Sequence, residues 1–165
     1  MNTQRLFFAL WPDDATRGSI ETARAALFPM SGAPVDAANL HVTLAFLGDV
    51  GPEKLPALLA LATPAAACRI EFDRVELWSK SKVIVAGCNH VPSALTRRVD
   101  ELWARLDRIG FARSAQPFRP HITLVRGAKS LRTPVRWLPV SWEATQLRLV
   151  QSVKTANVSR YELLD

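Results

Sequence analysis

A tetrapeptide of one pattern, His, a β-branched residue, Thr, Leu, occurs twice in the chain, as HVTL at 41–44 and HITL at 121–124, 80 residues apart. Only three histidines are present, and two of them open this motif. Each copy closes a similar unit. In the first, the apolar run RLFFALW at 5–11 reads as a buried strand. A helix capped by Asp13 or Asp14 follows, with Ile20, Ala23 and Leu27 on one face and Pro29 as its stop. A strand then runs from near Leu40 to Gly48. In the second, VIVAGC at 83–88 is the strand, and Pro92 and Gly110 bracket a helix. Leu95, Val99, Leu102, Leu106 and Ile109 recur along that helix at helical spacing. The loop SAQPFRP leads from it into a strand from His121 to about Arg126. Phe8 precedes His41 by 33 residues and Val85 precedes His121 by 36, so two related lobes in one α+β domain are expected.

The remaining segments fit that plan. Residues 31–39 read as a loop, and a helix starts near Pro52 with Leu55, Leu58, Leu59 and Ala62 on its apolar side. Residues 68–78 read as one half-exposed strand, and further strands are expected near 145–153 and 159–164. With 165 residues, 48% of them apolar, the chain suits one domain spanning 1–165. No apolar stretch reaches the roughly 20 residues of a membrane span, and the start, MNTQRLFFALWPDD, is unlike a secretory leader. Cys68 and Cys88 are too few for a disulfide framework or a cysteine zinc site, so they are expected as small apolar residues in a cytoplasmic protein. Residues 1–82 carry 8 Lys/Arg against 9 Asp/Glu, and residues 83–165 carry 13 against 6. The basic second half suits either an anionic partner such as RNA or an ordinary solvated surface.

Strand geometry gives the motif its meaning. Side chains alternate faces with period two, so His41 and Thr43 share one face while Val42 and Leu44 share the other. His121 and Thr123 repeat this against Ile122 and Leu124. If the lobes pack about a pseudo-two-fold axis, two imidazoles and two hydroxyls meet across a cleft. Such a set suits in-line displacement at phosphorus, where one proton leaves the entering oxygen and another reaches the departing one. Imidazole titrates near neutrality and can serve either role, and hydroxyls can donate to the non-bridging oxygens. No metal or other cofactor is required.

The two motifs with their flanks, LHVTLAFLG and FRPHITLVR, together with the RLFFAL first strand and the RYELL terminal strand, resemble the two-histidine (2H) phosphoesterases. Within these the chain is similar to the RNA 2′,3′-cyclic phosphodiesterases, also called 2′-5′ RNA ligases. The resemblance implies a bilobal fold whose two antiparallel β-sheets, with flanking helices, line a central cleft. It implies hydrolysis of a 2′,3′-cyclic phosphate to a 2′-phosphate, with His41 and His121 as general acid and base and Thr43 and Thr123 on the phosphate. It also implies a place near the phosphate for Arg126. Alternation alone turns Arg126, and its repeat equivalent Phe46, away from the histidines. A site role for either therefore needs the strand to end or bulge first.

Phe46 is weighed between core packing, which is favoured, and stacking at the cleft. Arg119 shares the His121 face by parity and either binds phosphate or lies on the surface. Tyr161 is read as a half-buried strand residue rather than a base platform, His90 as surface, and the five Trp mainly as core. The partner expected is an RNA or oligonucleotide with a 2′,3′-cyclic phosphate end, acted on by a monomer without membrane contact. The alternatives are a 2H enzyme for another cyclic phosphate or a 2′-5′ oligonucleotide, and a non-catalytic RNA-binding relative. A metallohydrolase is disfavoured, because no Asp, Glu or Cys stands near the motifs.

Overall fold

In the computed structural model, which describes residues 3–155 and 159–164, the two repeat units are built as expected. Strand β1 (Gln4–Leu10), helix α1 (Asp14–Ala25) and strand β3 (Val42–Val50) form the first. Strand β6 (Val83–Gly87), helix α3 (Ser93–Arg108) and strand β7 (His121–Arg126) form the second. The remaining elements are β2 (Ala33–Pro34), α2 (Leu55–Leu59), β4 (Cys68–Phe72), β5 (Arg74–Trp78), β8 (Val140–Ala144), β9 (Leu147–Lys154) and β10 (Ser159–Leu164). One antiparallel sheet has the order β10-β9-β1-β3 and the other β2-β7-β6-β5, while β4 and β8 make a separate pair. In both four-stranded sheets the motif strand pairs with the first strand of its own unit. β2, although it belongs to the first unit in sequence, pairs with β7 of the second.

Local chemistry sets the element ends. Asp13 Oδ1 accepts the Thr16 N–H at 2.8 Å and caps α1. The helix ends at Ala25, before the expected stop, because Phe28 precedes Pro29 and is disfavoured in a helical conformation. Leu27 still reaches the core from the turn beyond. Helix α3 buries Leu95, Val99, Leu102 and Leu106 and closes on Gly110, whose φ of +90° a side chain would oppose. There the Gly110 N–H reaches the Asp107 carbonyl and the Phe111 N–H reaches that of Leu106.

Three expectations change. The strand foreseen over 68–78 divides at Asp73, so β4 pairs with β8 while β5 pairs with β6 in another sheet. Asp73 fixes the switch, since its N–H reaches the Gly87 carbonyl and its Oδ1 accepts the Asn89 N–H at 2.7 Å. The loop over 31–39 contains β2 and a 3-10 turn at Ala37–Asn39. Gly32 precedes β2 with φ +99°, and a Cβ there would lie 2.6 Å from the Arg126 carbonyl oxygen, so only glycine lets the chain run this close to β7. Finally, β8 was not foreseen, although Val140, Trp142 and Ala144 alternate inward.

β1 shows how the core is divided. Leu6, Phe8 and Leu10 point into a large apolar cluster fed by elements of both units. Phe7, Ala9 and Trp11 point the other way, into a smaller cluster with Val150 and the half-buried Tyr161. Arg24 of α1 ties the units together. It is 8% exposed, and its guanidinium donates to the Val35 carbonyl at 2.5 Å and to that of Leu124 at 3.4 Å. Replacing Arg24 with Met leaves buried carbonyls without that donor, and urea unfolding should show a loss of about 1–3 kcal/mol. Arg97→Ala on the exposed side of α3 should change stability by less than about 0.5 kcal/mol. An equal, small effect of the two changes would show that Arg24 ties nothing.

Candidate active site

Both histidines are held by the same local bond. His41 Nδ1 lies 2.6 Å from the Asn39 carbonyl oxygen, and His121 Nδ1 lies 2.7 Å from that of Arg119. A carbonyl oxygen only accepts, so each ring carries its proton on Nδ1 and each Nε2 is left for chemistry. Thr43 Oγ1 stands 3.1 Å from His41 Nε2 and donates to it when the ring is neutral. Alternation holds over the motifs: Val42, Leu44, Ile122 and Leu124 are buried, while His41, Thr43, His121 and Thr123 are half-buried.

At the last residue of each motif the alternation breaks, and this break is the same in both strands, although β3 has a further one at Leu47. Phe8 pairs with Ala45 and Ala9 with Thr43, which leaves Leu44 as an extra residue in β3. Ile84 pairs with Val125 and Val85 with Thr123, which leaves Leu124 extra in β7. Each bulge shifts the following residues by one face. Leu44 and Ala45 are therefore buried in succession, as are Leu124 and Val125. Phe46 and Arg126 come out on the histidine side, where both line a cleft of about 670 Å³ with His41 and Thr43. Phe46 is 50% exposed, so the favoured core-packing reading is corrected. The Arg5 guanidinium sits over its ring at 4.7 Å.

A second chamber of about 570 Å³ adjoins the first, with Thr43 and Phe46 common to both. His121 and Arg119 line this second chamber, together with Trp78, Trp103 and Phe118. Thr123 lines neither chamber, although its face is as expected. The Arg119 guanidinium is engaged by Glu76 at 2.7 Å and lies 5.0 Å from the centre of the Trp78 ring. Its backbone carbonyl, rather than its charge, is what touches His121.

Aromatic packing supplies what the sequence reading missed. Trp11 stacks on His41 with ring centres 5.3 Å apart and planes 10° from parallel. Phe7 and Tyr161 each pack against the same imidazole at 5.1 Å. Trp78 packs against His121 at 4.4 Å. Trp11 supports His41 from within a buried cluster, Trp142 is buried, and Trp103 and Trp137 pack against the core, so the tryptophans are mainly core as expected; Trp78, half-buried against His121, is the exception. His90 is exposed and Cys68 and Cys88 are buried free thiols, as expected.

Burial dominates the titration of both rings. It pulls His41 down to about 4, against the pull of the Asn39 carbonyl, and positive charge on His121 or Arg126 pushes the same way as burial. His121 is also lowered, first by burial, with its own Arg119 carbonyl opposing. Among the described residues no group of three or more His, Cys, Asp or Glu side chains is arranged to hold a metal ion.

A two-lobed α+β fold with one motif histidine from each lobe at two adjoining chambers defines the class, and the comparisons give the family. The sequence model of the 2′-5′ RNA ligase superfamily matches residues 12–156, and this chain belongs to that superfamily. The RNA 2′,3′-cyclic phosphodiesterase of Escherichia coli strain K12 is 37% identical over 162 residues, covering 96% of this chain and 92% of the relative. The protein of that name from Thermus thermophilus is 29% identical, with 90% and 81% covered. The crystal structure of E. coli LigT complexed with 3′-AMP superposes with a TM-score of 0.85 at 36% identity, covering 99% of this chain and 97% of that one. No helix among the described residues is long and apolar enough to cross a membrane.

The depressed His41 value has a consequence for stability. Above about pH 6.5 the ring is neutral whether the chain is folded or not, so it adds no pH dependence there. As pH falls from about 6.5 to 4, the unfolded chain takes up a proton that the folded chain resists, and stability drops. Urea unfolding at about pH 4.5 should show roughly 2–3 kcal/mol lost to this group relative to pH 7. His41→Gln should flatten that part of the slope, and an unchanged acid slope in the variant would rule the effect out.

Proposed function

We propose that this protein hydrolyses the 2′,3′-cyclic phosphate at RNA ends to a 2′-phosphate, using His41 and His121 as the acid–base pair. The observation that carries this reading is the matched presentation of the two rings. Each precedes a bulge in an equivalent strand, each is pinned at Nδ1 by a carbonyl two residues back, and each lines one of two joined chambers. The names of the E. coli and T. thermophilus relatives support the substrate.

In the proposed step a water oxygen attacks phosphorus and the bond from phosphorus to the ribose 3′ oxygen breaks. One imidazole takes the water proton and the other gives a proton to the departing oxygen. Thr43 and Thr123 donate to the phosphoryl oxygens, where charge builds, and Arg126 supplies a planar fork of donors. Phe46 and Tyr161 offer ring surface for a base beside the phosphate. The basic residues Arg5, Arg126 and Lys154 line the same chamber and suit a polyanionic strand. With an RNA hydroxyl in place of water as the nucleophile, the same step joins ends through a 2′-5′ linkage, the 3′ oxygen again leaving with a proton. Hydrolysis dominates, since water is present at about 55 M, far above any RNA end. On this reading the protein acts as a cytoplasmic monomer, and no proton transfer needs a metal.

His41→Ala and His121→Ala should each lower kcat by at least about 100-fold on a cyclic-phosphate oligonucleotide assayed in EDTA. The double variant should cost little more than the worse single, because both groups act in one step. Near-normal turnover by either single variant would overturn the acid–base pair. Unaltered kcat and kcat/KM in Thr43→Val and Arg126→Ala would remove those two residues from the phosphate.

The pH profile follows from the two depressed values. A base works only when neutral, above its pKa, and an acid only when protonated, below its pKa. Both rings sit below the ordinary imidazole range in the free protein, so the bell in kcat/KM should peak on the acidic side of about pH 6.5. It should fall steadily toward pH 8 as the acid loses its proton. A maximum at or above pH 8 would contradict the assignment.

A further inference from the structure

The two imidazoles differ in what stands behind them, and behind His121 stands a carboxylate. Arg74, Glu76 and Trp78 alternate onto one face of β5. A single oxygen of Glu76, Oε1, accepts from Trp78 Nε1 at 2.9 Å and from Arg119 Nη2 at 2.7 Å, and Arg74 Nη2 lies 3.6 Å from it. Both hydrogen-bonded partners touch the histidine. The Trp78 ring packs against His121 with centres 4.4 Å apart, and the Arg119 carbonyl holds His121 Nδ1 at 2.7 Å. We propose that Glu76 is a positioning residue for His121: its carboxylate clamps Trp78 and Arg119 beside the imidazole, and its negative charge offsets the arginines there so that the ring can carry a proton. The proposal rests on the acid–base reading of His121 and adds a group that acts on that ring without touching substrate.

The sheet builds the arrangement. Arg74 lies opposite Gly87 of β6, and Gly87 lies opposite His121 of β7. A Cβ at Gly87 would come within 3.2 Å of Arg74 Nε, so glycine makes room for the Arg74 side chain over β6. The Arg119 guanidinium sits 5.0 Å from the centre of the Trp78 ring. With side chains 54% and 33% exposed, the Arg119–Glu76 pair adds little to the stability of the fold. Its effect falls on the ring beside it.

The charges around His121 are few. Glu76 and Arg74 come from β5 and Arg119 from the preceding loop. Arg113 of the same loop is taken up by Asp100 at 2.6 Å, and His41 belongs to the other lobe. Burial disfavours the protonated ring most and the Arg119 carbonyl opposes burial; beyond these, the Arg119 guanidinium disfavours the proton and Glu76 favours it. At His41, by contrast, His121 and Arg126 both push the same way as burial.

The test is the titration of the histidine rings of the full-length protein, followed by proton NMR in wild type, Glu76→Gln and Arg119→Gln. The variants His41→Gln and His121→Gln identify the resonances. Glu76→Gln keeps an amide oxygen for the indole but loses the charge, and His121 should titrate at lower pH than in wild type. Arg119→Gln keeps the backbone carbonyl that holds the ring, and His121 should titrate at higher pH. His41 should move less than His121 in both. If Glu76 were only a structural prop, both changes would loosen the packing and admit water. The His121 titration would then rise in both, because burial is what chiefly lowers it. Shifts of the same sign, or no shift in Glu76→Gln, overturn the proposal. On a cyclic-phosphate oligonucleotide, one limb of the kcat/KM profile should move to lower pH in Glu76→Gln while the other stays, and two unmoved limbs overturn it equally. The expected titrations in a protein that hydrolyses no cyclic phosphate support the action of Glu76 on the ring and overturn the hydrolytic reading alone.

Discussion

The cleft depends on one bulge that the two histidine strands share, an extra residue directly after the motif threonine. A regular strand would send Phe46 and Arg126 to the side of Val42 and Ile122, into the core, where an arginine could not be accommodated without a partner. The bulges at Leu44 and Leu124 instead place two apolar residues in succession toward the core and release the next side chain to the cleft. Six residues thus supply an anchored ring, a hydroxyl, a core contact and a cleft-lining residue. The second bulge is braced from the other unit. The Leu124 carbonyl accepts the Val35 N–H at 2.9 Å and a more distant donation from Arg24. That link between the units explains why β2 leaves its own sheet and pairs with β7.

The internal symmetry is strict at the backbone and loose around it. Both rings use Nδ1 to hold a carbonyl two residues earlier, a bond that follows from the local turn into each strand and survives sequence divergence elsewhere. Around the rings the units part company. His41 is packed by Phe7 of the interior strand β1, by Trp11 just beyond it, and by Tyr161 from β10. His121 has Trp78 from β5, itself fixed by its Nε1 donating to Glu76 at 2.9 Å. The result is one enclosed imidazole and one more open imidazole within a symmetric frame. An in-line displacement has use for such a difference, since the entering and leaving oxygens are not equivalent.

Much of this was legible in the residues, and the failures have physical causes. The repeat, the two helices beside the motifs and the His/Thr faces all follow from periodicity, which operates within a few residues. Period two also produced the chief error, at Phe46, because alternation does not announce a bulge. Two adjacent apolar residues after each motif threonine, Leu44 with Ala45 and Leu124 with Val125, were the available sign. The division of 68–78 into two strands depends on where Asp73 finds partners, at Gly87 and Asn89, far along the chain. Trp78 is assigned to the core by type, whereas it lies half-buried against His121. Nothing local distinguishes a tryptophan that stacks on a catalytic-type histidine from one that fills an interior, as Trp142 does.

The electrostatics of the cleft suit the arrival of an anion. Burial and the positive field of Arg126 keep His41 neutral, and Arg119 adds to the burial that lowers His121. Charge on His121 opposes charge on His41, so two imidazolium ions would be costly in such a place. In the free protein both rings thus resist protonation, where the proposed step needs one of them charged. A phosphoryl group seated by Arg126 would cancel much of the repulsion that disfavours protonation, so the proton for the leaving oxygen can be taken up when substrate binds. The strand that carries the histidine in each lobe also carries, five residues on, the side chain that its bulge frees to line the cleft. Recognition of the anion and preparation of the acid are on this view one event, and both trace back to the extra residue in each strand.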